Sequence, residues 1–176
     1  MAVIEAIATT YLEADAASVT FSSIPQTYEH LQLRVSSHDS YDASYDILYA
    51  RFNSDSGTNY GYHKMEGYAT STNAGGNTGQ TYVWLGAAEG SYGATLTTTY
   101  GGLIVDILDY ANTNKNTTTQ SISGVVDPRP TNVVMFSSGL WDDTSAVTQI
   151  DLYGILSAGG GFVRGTTFTL YGLNSS

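Results

Sequence analysis

Short runs in which apolar and polar side chains alternate, one after another along the whole chain, limit most what these 176 residues can become. The final run shows the pattern best. In the stretch from Gly165 to Leu173, Phe168 and Leu170 fall on one side of an extended chain, and Thr167, Thr169 and Tyr171 on the other. That is the signature of a half-buried strand built from residues that favour sheets. A strand that closes the chain has to pair with something made earlier, so a sheet-built protein is expected.

Earlier runs repeat the pattern. Val19 and Phe21 face one way before Pro25, which cannot donate to a ladder, ends the segment. Leu31, Leu33 and Val35 point inward over 30–36, and Leu48, Ala50 and Phe52 do so over 46–52. Further strands are expected at 61–67, at 81–85 with Trp84, at 94–100, 103–108, 132–136 and 147–156. Residues 117–126 are polar enough to form a sheet edge. The glycine- and asparagine-rich segment 71–80 reads as a long exposed loop. Residues 3–12 fit a helical stripe as well as an alternating one, but their β-branched content and the turn-like residues after them favour a strand. Residues 1–17 would then be an N-terminal arm or edge strand. Roughly ten strands, no confident helix and no internal repeat point to an all-β protein. The expected form is one domain over 1–176, an antiparallel two-sheet β-sandwich that is jelly-roll-like. An immunoglobulin-like sandwich comes second, since it needs fewer strands.

Composition narrows function by exclusion. The chain has Cys 0, so disulfides, thiolate metal sites and cysteine nucleophiles are ruled out. Lys+Arg 6 against Asp+Glu 16 leaves a formal charge of -10, which repels nucleic acid and anionic lipid and favours solubility. No nucleic-acid or membrane partner is expected. The longest apolar runs, such as Leu103-Ile104-Val105, are too short to span a bilayer. Met1 to Glu5 lacks the basic and apolar regions of a signal peptide.

Candidate chemistry is sparse. His30, His38 and His63 show no metal-ligand spacing, and His38-Asp39 lacks the nucleophile elbow that would make it a catalytic pair. Asn53-Ser54-Asp55-Ser56-Gly57 is oxygen-rich, but Lys64 stands where a calcium loop needs its last glutamate. The pairs Asp142/Asp143 and Asp106/Asp109 could serve as glycosidase carboxylates, though a solvated turn explains the first and pairing with Arg34, Arg51 or Arg164 would explain Asp106. The Asn116-Thr117-Thr118 sequon carries little without a secretory signal. No catalytic, cofactor-binding or metal residue is expected. Two surfaces remain. Ile47, Tyr49, Ile104 and Leu108 give their strands apolar second faces suited to an interface. Alternatively, Tyr60, Tyr62, Trp84 and Trp141 on loops would bind a receptor or carbohydrate.

Several stretches, in order along nearly the whole chain, resemble small structural proteins of tailed bacteriophage virions. They are Val19 to Tyr28, Arg51 to Asp55 with Asn59-Tyr60, Asp109 to Thr113, Gly139-Leu140-Trp141 with Thr144 to Thr148, and Phe162 to Leu173. The resemblance implies a non-enzymatic β-sandwich subunit on the virion exterior, either a capsid decoration (cement) protein or a tail or fibre module. It also implies partnership with other virion proteins and a homo-oligomer, a trimer being favoured. It carries over no catalytic residue and no cofactor. The absence of heptads and fibrous repeats favours a compact decoration subunit over a fibre shaft.

Overall fold

The computed structural model describes residues 3–91, 98–126, 128, 132–154 and 160–174. Twelve strands are present: β1 (Val3–Tyr11), β2 (Ser18–Phe21), β3 (His30–Ser37), β4 (Tyr45–Phe52), β5 (Tyr60–Tyr68), β6 (Ser71–Gln80), β7 (Val83–Glu89), β8 (Gly101–Leu108), β9 (Thr117–Val125), β10 (Val133–Trp141), β11 (Ile150–Tyr153) and β12 (Thr167–Asn174). There is no helix among the described residues. One sheet runs β1-β12-β3-β8-β9-β10-β5-β6, and the other runs β2-β11-β4-β7.

The protein is an all-β, two-sheet antiparallel sandwich. Four strands of the large sheet, β1-β12-β3-β8, face the four of the small sheet, and the chain alternates between sheets in the manner of a jelly roll. Two hairpins are inserted into that plan. β5 and β6 lie between β4 and β7 in sequence, and β9 and β10 between β8 and β11. β10 pairs with β5 over nine residues, so the two insertions join and lengthen one sheet by four strands.

Alternation does what it should in the core. β3 buries Leu31, Leu33 and Val35; β8 buries Leu103, Val105 and Ile107; β12 buries Phe168 and Leu170. Each such side chain contributes about 1.5–3 kcal/mol when fully removed from water. β12 sits between β1 and β3, so the closing strand does find earlier partners, and residues 3–11 are a strand on the sheet's edge.

The added strands fold around the β7 edge. Serines on the inner face of β9 and β10 meet the main chain of β7: Ser121 Oγ donates to Leu85 O, Ser123 Oγ accepts from Ala87 N at 2.9 Å, and Ser137 Oγ donates to Trp84 O at 3.2 Å. Beyond that edge, Val125, Val133 and Met135 cover the outer side of β4, where they pack on Ile47, Tyr49 and Ala87. Gly139 is where β10 crosses closest, since a Cβ there would strike Val83 and Thr119.

Five sequence expectations are corrected. Residues 71–80 are strand β6, because main-chain pairing with β5 needs no side-chain pattern. Residues 117–125 are an interior strand, polar because its hydroxyls serve the β7 edge. The strand at 132–136 continues to Trp141, and that at 147–156 is limited to Ile150–Tyr153 within the described residues. Of the strand expected at 94–100, residues 94–97 lie outside the described residues, and 98–100 form no strand.

A candidate docking surface on the large sheet

Strand register builds one feature on the outer face of the large sheet. Ile104 of β8 lies opposite Ile122 of β9, Ile122 opposite Phe136 of β10, and Phe136 opposite Met65 of β5. Their exposures are 41, 44, 51 and 58%. Strands about 4.8 Å apart make this an unbroken apolar ridge roughly 15 Å long. One side of it carries the row Asp106, Gln120, Ser138 and His63; the other carries Gly102, Gly124, Val134 and Gly67. A groove of about 420 Å³ follows the polar side and one of about 460 Å³ the glycine side.

The charge on this face is nearly cancelled. Asp106 Oδ1 accepts from the Gln32 amide at 2.8 Å, and Gln32 Oε1 accepts from Arg34 Nε at 2.8 Å. Arg34 also lies over the Tyr171 ring, 5.0 Å from its centroid. Asp106 therefore reaches Arg34 through Gln32 rather than by a direct ion pair. It is the one carboxylate in the ridge and its two flanking rows, in a chain of net charge -10. Depletion of charge around an apolar centre is the compositional mark of a protein interface.

The expected interface residues divide. Ile104 stands in the ridge, and Leu108 lies half-buried on the same face. Ile47 and Tyr49 are corrected: both are buried inside the chain, because the inserted hairpins cover the outer side of β4. Ile122, Phe136 and Met65 complete the ridge but were not singled out from sequence, since only register brings them together.

The expected aromatic ligand site is not assembled. Tyr60 and Trp141 are buried core residues on β5 and β10, not loop residues; they stack at 6.3 Å beside Phe52. Tyr62 and Trp84 also lie on strands, stacked on each other at 4.8 Å. Lys64 sits 4.9 Å over the Trp84 ring, while Tyr49 meets it edge-on at 5.6 Å. Trp84 thus has its ring occupied by neighbours of its own chain.

The polar candidates serve as clasps. Asn53 Oδ1 accepts from Thr148 N and Gln149 N at 2.8 and 3.1 Å, while Asn53 Nδ2 donates to Ala146 O. Asp55 takes Gly57 N on one oxygen, and Asn59 Nδ2 and Trp141 Nε1 on the other. Nearby, Tyr110 OH donates to Pro25 O, Val147 N to Tyr110 O, and Ile24 N to Thr148 O. Many of the residues that carry the virion-protein resemblance therefore meet at one end of the sandwich. Asp142 accepts from Asn116 and Asp143 from Ser145 N, while Asp109 bonds Lys115 and gives its N–H to His30 Nδ1.

His38 and Asp39 are both buried and are engaged separately. The imidazole lies 2.9 Å from Thr99 O through Nδ1 and 2.8 Å from Ser91 Oγ through Nε2. Ser91 Oγ in turn donates to Asp39 O at 2.8 Å. The Asp39 carboxyl turns instead to Tyr41 N and to the buried Asp46. Burial, then the Asp46 charge, push its pKa up to about 7.

No protein-family model matches the chain, and no curated protein does. Among solved structures, the alginate lyase vAL-1 from a Chlorella virus is similar over 96% of this chain and 83% of that one, at 8% identity and a TM-score of 0.30.

Proposed function

We propose that this chain is a non-enzymatic structural subunit of a tailed bacteriophage particle, a capsid decoration protein that oligomerises on and stabilises the head. The observation that carries the assembly role is the ridge Ile104–Ile122–Phe136–Met65, an exposed apolar line across four strands with Asp106 as the one carboxylate in its two flanking rows. Water contact along it is unfavourable by about 25 cal/mol per Å² of apolar surface, which a neighbouring subunit relieves. The virion setting rests on the sequence resemblance described above. A tail module that grips a host carbohydrate has less to work with, since Tyr60 and Trp141 are core residues and Trp84 is covered.

Cryo-electron microscopy of particles that contain the protein tests this reading. The ridge should be seated against a neighbouring virion protein on the head. A map that leaves the ridge open to solvent, or places the chain only at a receptor-binding tip, overturns it.

A further inference from the structure

Sheet edges in this fold are treated unequally. The long edge of β7 is closed by serines from β9 and β10. β2 is only four residues long, and β1 carries Glu5 and a register shift between Ala6 and Ala8. Short length, charge and bulges are the usual protections against a foreign strand. β6 has ten residues with no charged side chain and no proline, and it is exposed along nearly its whole length. Among the described residues it pairs only with β5. Its register shift lies at the Tyr60–Tyr62 end, so residues 71–77 form an uninterrupted ladder.

We infer that β6 is a pairing edge whose occupant is β6 of a second copy of this chain, the two running antiparallel about a two-fold axis near the strand's centre. Three features select a second copy. β6 is a neutral strip on a chain of net charge -10, so two copies can approach here without meeting like charges. An antiparallel strand pair is self-complementary, as a two-fold contact requires. Ala74 lies opposite Met65, at the end of the apolar ridge, so the pairing would bring two ridges towards each other across one continuous sheet. At the centre, a Cβ on Gly75 would meet nothing within 4 Å, which leaves room beside the axis. This contact uses the sheet edge, whereas the proposed function uses its outer face, so the two can fail separately.

The full chain tests it in three arms. Light scattering with size exclusion at about 100 µM should give twice the 18.7 kDa chain mass, and Ala74→Lys with Asn77→Lys should return it to one chain mass without shifting the melting temperature measured at a dilution where wild type is also one chain mass. Amide exchange over 71–80 should slow at least tenfold between low and high concentration. Because the chain has no cysteine, Gly75→Cys gives a clean crosslink assay, and oxidation should yield a covalent dimer. Phe136→Ser should leave all three results intact. A wild-type chain that stays monomeric with concentration-independent exchange overturns the inference. So does a dimer that survives the lysine pair, because its contact then lies elsewhere.

Discussion

Trp141 Nε1 donates to Asp55 Oδ2 at 2.7 Å, tying the largest core side chain of β10 to the turn that follows β4. Burial of Asp55 opposes its charge, but donors from Trp141, Gly57 and Asn59 outweigh that and hold its pKa below the ordinary carboxylate value. With the folded pKa depressed, the stabilisation is present above about pH 4 and is lost as pH falls through the folded value. Asp55→Ala should cost about 1–3 kcal/mol at neutral pH, because the indole N–H loses its partner. Urea unfolding at pH 7 and pH 3 checks this, with the gap between variant and wild type shrinking at the lower pH.

The Asp39–Asp46 pair has the opposite sign. Asp39 is raised to about 7, so the native state holds a proton that the unfolded chain releases near pH 4. The stabilisation is complete below the unfolded value and is lost as pH rises through about 7. Denaturation midpoints should therefore fall between pH 5 and pH 8, and Asp39→Asn should flatten the slope. An unchanged slope in the variant would show that Asp39 does not hold a proton in the folded chain.

Closing the β7 edge by side chains makes Ser123 structurally costly to lose. Ser123→Ala leaves the buried Ala87 N–H without its acceptor, and a loss of about 1–3 kcal/mol is expected in thermal or chemical unfolding. Gly86→Ala should destabilise as well. Its φ of 154° lies in a region that favours glycine, and a Cβ there would come within 2.6 Å of Ser123 Oγ.

Where one strand face meets the core, the sequence was readable. Leu31/Leu33/Val35 and Phe168/Leu170 announce both strand and orientation, and Pro25 ends a segment where expected. Legibility failed where backbone pairing, not side-chain burial, makes the strand. β6 has no alternation to detect, and β9 hides an interior position behind serines that bond to a neighbouring edge. Ile47 and Tyr49 show the same limit from the other side: an apolar second face is visible in sequence, but what covers it depends on hairpins inserted later in the chain, with Val125, Val133 and Met135 among the covering residues. The ridge needed register across four strands, so Ile104 alone could be named beforehand.

Incorporation of a ridge variant into particles tests the central claim most directly. Ile122→Thr with Phe136→Ser changes two exposed positions and should leave the melting temperature within a few degrees of wild type. Sedimentation of purified capsids with each protein, followed by quantification of the bound subunit, should show at least a tenfold loss of occupancy for the variant. Equal occupancy by a folded variant would contradict the assignment of the outer face of the large sheet as the docking surface.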